Sequence, residues 1–230
     1  MSYNNGPKIV TNGLALYLDA TNSKSYIGSG TTWNDLSGNN NTGTLTNGPT
    51  YTSSFGGGIV FDGTNDYVVS TGPTINPNTN GFSFECMFTS DVNNTSYSTY
   101  KHIVWMNGGP GNFFGILVEP DSRGYRLDVP SSANGRVGAT TNITITANIP
   151  QHIVWTWLNG VFKFYINGIL QVNSDQTVYT AGSFTSITLG YGNNGYWVGK
   201  IFLTRLYNNV LSDTQVLQNY NATKGRFGIK

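Results

Sequence analysis

Short apolar stretches alternate with polar residues along the whole chain and are broken by turns rich in Gly and Asn. This is the two-residue period of strands, not the longer period of amphipathic helices. Strands are expected at Leu14–Leu18, Ile59–Phe61, Tyr67–Val69, Phe82–Phe88, His102–Trp105, Phe113–Val118, Arg126–Val129 and Asn142–Ile149. Others follow at His152–Trp157, Val161–Ile166, Ile169–Val172, Ser186–Leu189 and Val198–Tyr207. Asn159-Gly160 and Asn167-Gly168 each separate two such runs. Asn-Gly suits a type I′ turn, which needs positive φ at both central positions, so His152–Val172 reads as a meander. Alternation there puts Ile153, Trp155 and Trp157 on one side, and Phe162, Phe164 and Ile166 on one face.

One helix is expected, Asp213–Ala222, with Ser212 as N-cap, Asp213 at the positive end of its dipole and Gly225 as a stop. Val216, Leu217 and Tyr220 give it an apolar side. The pattern implies an all-β fold, a two-sheet antiparallel jelly-roll sandwich with one short C-terminal helix outside it. Residues 1–11 are polar, contain Pro7 and precede the first strand, so they read as an N-terminal arm; 12–230 reads as one sandwich domain.

Composition narrows the partners. The 230 residues carry a net charge of +1 with basic residues scattered singly, which excludes an electrostatic footprint for nucleic acid or an anionic membrane. No apolar run approaches a membrane span, and Met1–Val10 lacks the apolar core of a secretory signal. Cys86 is the one cysteine, so no internal disulfide forms. Alternation in FSFECMF sets it on a face with Phe82, Phe84 and Phe88, as a buried thiol.

Catalytic signals are sparse. Cleaving a glycosidic bond needs two carboxylates flanking it. The only glutamates are Glu85, alone in its strand, and Glu119, in the turn Glu119-Pro120-Asp121, and no strand carries paired carboxylates. His102 and His152 each open an identical HIVW stretch without a neighbouring nucleophile, which suits a structural histidine. Asp62, Asn65 and Asp66 gather three hard oxygen ligands within one turn, a candidate Ca²⁺ site; the alternative is that they cap the turn through Asx hydrogen bonds. Tyr191, Asn193, Asn194, Tyr196 and Trp197, in YGNNGYW, have the composition of a glycan or protein contact, or of a hairpin turned into the core. Tyr97 and Tyr100 form a second aromatic candidate.

The segment GGIVFDGTNDYVVS (57–70) resembles the "FDG…DYV" stretch of laminin-G-like, concanavalin A-like domains. QHIVWTWLNGVFKFYINGILQ (151–171) is similar to that family's central strands, and GKIFLTRLYNNVLSDTQVLQNYNATKGRF (199–227) to its last strand and terminal helix. The opening, GPKIVTNGLALYLDA with TTWNDLSGNNNTGTLTNGPTY, in combination with that ending resembles the version found in tailed-phage structural proteins. The resemblance implies a non-enzymatic virion component, a capsid decoration or fibre-like protein made in the host cytoplasm. Its partners would be other virion proteins, a host surface carbohydrate or a second copy of itself. No cofactor is required beyond the candidate calcium, which the family holds near this turn with an acidic residue of its last strand. The matching stretch here, Lys200–Arg205, has no carboxylate. A carbohydrate-binding adhesion module is the alternative reading, and a glycoside hydrolase a second one.

Overall fold

The computed structural model describes residues 7–109, 112–120, 123–129, 137–175, 182–193 and 195–229. The chain enters through β1 (Leu14–Asp19), β2 (Thr32–Trp33), β3 (Gly43–Thr46), β4 (Thr50–Thr52), β5 (Gly58–Asp62) and β6 (Tyr67–Ser70). It continues through β7 (Phe82–Ser90), β8 (Lys101–Gly109), β9 (Asn112–Val118), β10 (Tyr125–Val129), β11 (Val137–Thr140) and β12 (Gln151–Leu158). It closes with β13 (Val161–Ile166), β14 (Ile169–Asp175), β15 (Ser186–Leu189), β16 (Tyr191–Gly192), β17 (Gly195–Tyr196), β18 (Val198–Tyr207) and α1 (Asp213–Lys224).

Among the described residues, sixteen of these strands form two eight-stranded antiparallel sheets, and β16 and β17 pair as a separate hairpin. The first runs β14-β13-β12-β7-β18-β5-β4, with β1 also paired to β18; the second runs β11-β10-β9-β8-β15-β6-β3-β2. The jelly-roll sandwich expected from the pattern is therefore the observed fold. Both Asn-Gly turns have positive φ at both residues, 53° and 90° at Asn159-Gly160 and 51° and 76° at Asn167-Gly168. They set the register that pairs Ile153 with Ile166, Trp155 with Phe164 and Trp157 with Phe162, all six buried in the core between the sheets. Phe82, Phe84, Cys86 and Phe88 join them from β7. Edge-to-face contacts of Phe114, on β9, with Phe82 and Trp157 of the first sheet tie the two sheets together.

The two HIVW copies end in opposite sheets and in different registers. In β12 the alternation is regular, so Trp155 points inward. In β8 a bulge between His102 and Val104 places both Ile103 and Val104 in the core and turns Trp105 outward.

Three expectations differ from the structure. Asn142–Ile149 is a crossing loop, not a strand, because Asn142 and Asn148 take left-handed φ of 53° and 59°. Ile145 still plugs the core, its amide donating to Asn94 Oδ1 at 3.0 Å. The end of the N-terminal arm is docked: Val10 is buried with Val154, Tyr165, Leu211 and Val216. Its amide donates to Asn219 Oδ1 at 2.8 Å, and Gln218 donates to the Lys8 carbonyl at 2.7 Å. Val10 thus packs with the sandwich although it precedes the expected domain start at residue 12. Finally, α1 runs to Lys224 behind a capping box of Ser212 and Gln215, and Leu217 is exposed while Asn219 and Thr223 are buried. A polar network beneath the helix is the reason.

Candidate functional site

That network centres on Glu85, which alternation points out of the first sheet and α1 covers. Its carboxylate accepts from His152 Nε2 at 2.9 Å and Asn219 Nδ2 at 2.7 Å, and is ion-paired with Arg205. Burial pushes its pKa up, but Arg205, His152 and Asn219 outweigh that and hold it down at about 2. Arg205 also lies over the Tyr17 ring, and the Tyr17 hydroxyl donates to Asp19, which takes a two-pronged contact from Arg226 at 2.9 Å. His152 takes the structural place that the residue pattern suggested, but its partner Glu85 is distant in sequence, as are those of Glu85 itself. A sealed carboxylate held ionised at neutral pH is poorly suited to donate a proton.

In the Asp62–Asp66 turn, one oxygen of each aspartate is bound to the local backbone. Asp62 Oδ1 accepts from the amides of Thr64 at 2.7 Å and Asn65 at 3.4 Å, and Asp66 Oδ2 accepts from the amide of Asp62 at 3.0 Å. Burial, with the Asp62 charge nearby, raises the Asp66 pKa. No group of three or more His, Cys, Asp or Glu suited to a metal occurs among the described residues. Across the ladder Asp62 faces Val198, and Lys200 follows on the same strand. These hydrogen bonds are those of an Asx-capped turn.

The outer face of the second sheet gathers the exposed chemistry. Core residues Val104, Met106, Phe114, Ile116, Leu127, Ile187 and Val68 fill its inner side, so Trp105, Phe113, Arg126, Asp128, Thr188, Tyr67 and Val69 point outward. A hairpin of β16 and β17 folds down on this face. A methyl group added at Gly192 or Gly195 would lie 2.7 Å or 2.9 Å from the His102 ring, so only glycine lets the hairpin seat there. His102 is thereby buried, edge-on to Trp105.

Tyr191 and Tyr196 stack across that hairpin with ring centroids 4.4 Å apart and planes 21° apart, and Tyr67 lies 6.0 Å from Tyr191. All three are partly exposed, and Asn193 is exposed at the tip. Asn194 lies outside the described residues. Trp197 does not belong to this surface: it is fully buried, edge-on to Phe88. The strand alternation from Tyr196 through Trp197 to Val198 turns it into the core. Tyr97 is likewise buried, its hydroxyl 2.7 Å from Ser90 Oγ and its pKa pushed up to about 12 by that burial. Tyr100 remains exposed beside Arg126.

Farther along, Trp105 and Phe113 stack at 4.5 Å with an interplanar angle of 13°. Arg126 then donates to Asp128 at 2.6 Å and to Glu119 at 2.9 Å, and Arg123 pairs with Glu119 at 2.9 Å. The fold therefore brings two carboxylates together across strands, where the linear reading found none paired. Both are neutralised by guanidinium groups. Tyr67, Trp105, Phe113 and Asp128 escaped the sequence reading, although the DYV stretch held the signal for Tyr67. A separate apolar pocket of about 500 Å³ lies on the first sheet, walled by Leu158, Val161 and Val210.

A family model for laminin G domains, described as the concanavalin A-like lectin/glucanases superfamily, matches residues 62–217. The chain belongs to that superfamily. Among curated proteins, none matches this concanavalin A-like domain. Among solved structures it is similar to domain 4 of AbnA, a GH43 extracellular arabinanase from Geobacillus stearothermophilus, in complex with arabinotriose. The TM-score is 0.72 at 19% identity, over 90% of this chain and 98% of that one. It is also similar to the binding domain of Paraclostridial Mosquitocidal Protein 1, with a TM-score of 0.72 at 16% identity, over 92% of this chain and 52% of that one. A Trypanosoma rangeli sialidase in complex with sialic acid gives 0.66 at 14%, over 93% of this chain but 33% of the sialidase. At these identities the likeness carries the fold alone.

Proposed function

We propose that this domain is a non-enzymatic binding module that takes carbohydrate on the outer face of its second sheet. The observation that carries the reading is the partly exposed stack of Tyr191 and Tyr196 beside Tyr67. Aromatic faces cover the C–H side of a sugar ring while phenol hydroxyls reach its polar edge. The near-neutral chain suits an uncharged glycan. Hydrolysis would require a protonated acid facing a second carboxylate across the bond. Glu85 is sealed and ionised, and Glu119 and Asp128 both hold Arg126. A glycan array followed by calorimetry tests the reading. Tyr191→Ala should abolish binding without lowering the melting temperature appreciably, and measurable release of reducing sugar by the parent protein would overturn it.

The setting we propose for this module is the surface of a tailed-phage particle, in contact with another virion protein and a host sugar. Its support is the resemblance of the opening and closing segments to phage structural proteins. Density from intact particles that lacks this sandwich would remove that setting and leave the binding reading in place.

A further inference from the structure

The pairing registers align one outward row across five neighbouring strands: Trp105 on β8, Thr188 on β15, Val69 on β6, Thr44 on β3 and Thr32 on β2. Each of the five is at least partly exposed, and Thr44 and Thr32 are fully in the exposed class. Adjacent strands lie about 4.8 Å apart, so each step along the row is close to the length of one sugar residue in an extended chain. Three of the five, Thr188, Thr44 and Thr32, carry hydroxyl groups, and the other two are Val69 and the indole of Trp105.

Rings bound this row at its middle and end. Tyr67 stands on the same face of β6, two residues from Val69, and carries the Tyr191–Tyr196 stack beside it. At the β8 end, the Trp105 indole extends over Gly115, where an added methyl would lie 2.9 Å from Trp105 Cε3. Gly115 is thus a place where any side chain would displace the indole. Phe113 stacks on Trp105 and holds it in that pose.

From this arrangement we infer that the row is a multi-subsite track for a linear, uncharged oligosaccharide. The tyrosines hold one sugar unit, and Trp105 holds another, across the intervening strand β15. The inference rests on the carbohydrate reading above and adds to it the length of chain recognised. A ligand of one unit reaches a single station. One long enough to cross β15 gains the Trp105 contact as well.

The test measures affinity of the full-length protein for arabino-, xylo- and gluco-oligosaccharide ladders, each from mono- to hexasaccharide. Binding should tighten by about tenfold or more once the chain spans both stations, a gain in the range of one added aromatic contact. Trp105→Ala should erase that gain and leave the shortest bound ligand unaffected, whereas Tyr191→Ala should abolish binding at every length. Because Trp105 packs on Phe113, Thr188→Arg serves as a second variant: it places a long exposed side chain in the row without touching the core. It too should remove only the length dependence. Equal affinity for short and long members, or a Trp105→Ala loss of the same size at every length, overturns the track and leaves the binding module standing. Failure of every ladder to bind overturns both.

Discussion

Glu85 on β7 and Arg205 on β18 are direct cross-strand neighbours on the outer side of the first sheet, ion-paired and fully buried beneath α1. The pair joins the middle of the sandwich to both ends of the chain, since Asn219 of the helix binds both Glu85 and the Val10 amide. Removing one partner of such a pair leaves the other charge buried and unmatched. Glu85→Gln should therefore cost about 3–5 kcal/mol in urea unfolding. A loss below about 1 kcal/mol would show that water reaches Arg205.

The same group makes a pH prediction. The Glu85 carboxyl is held at about 2, below its ordinary 4.5, so its stabilising contribution is present above the ordinary value. It is lost as the pH falls from 4.5 towards 2. Asp19 is shifted in the same direction, its burial outweighed by Arg226, and adds to the loss. Urea midpoints at neutral and acid pH should differ more for the parent protein than for Glu85→Gln, which retains only the Asp19 contribution.

Trp155 is fully buried, with Phe82 edge-on at 5.3 Å and Phe114 at 5.7 Å. Truncation to Ala opens a large cavity between the sheets and should cost roughly 3–5 kcal/mol. Differential scanning calorimetry reads this directly, and an unchanged transition would mean that the pocket refills.

For the Asp62–Asp66 turn, the expected result with a chelator is no change in melting temperature, because the carboxylates already hold backbone amides. Asp62→Ala should cost about 1 kcal/mol through loss of the Asx bonds. A fall in melting temperature with chelator, restored by Ca²⁺, would instead establish a bound metal.

Val10 packs under the helix, so Val10→Ala should lower stability by about 1–2 kcal/mol. An effect confined to attachment elsewhere, with stability unchanged, would restore this segment to the role of a free arm.

Local chemistry was enough for the long strands, the two Asn-Gly hairpins and the capped helix, but not for the short strands β2, β3, β4, β11, β16 and β17 or for the loop at Asn142–Ile149. Strand alternation, positive φ at Asn-Gly and a Ser N-cap are properties of a few adjacent residues, and they act the same way in any surrounding. They placed Ile153, Trp155, Phe162 and Phe164 in the core correctly and identified Cys86 as buried. What depended on distant partners was not legible. A single bulge sent Trp105 to the surface while the identical stretch kept Trp155 inside. Trp197 and Tyr97, with the composition of a contact loop, were taken into the core by strands packed against them. Glu85 has no carboxylate or cation near it in sequence, yet it gains Arg205 from 120 residues away. Tyr67 meets Tyr191, and Glu119 meets Asp128 through Arg126, because antiparallel pairing lays separate strands side by side. Period and turn propensity determine which elements form. Sheet order and register determine which side chains share a surface, and those are settled by long-range packing.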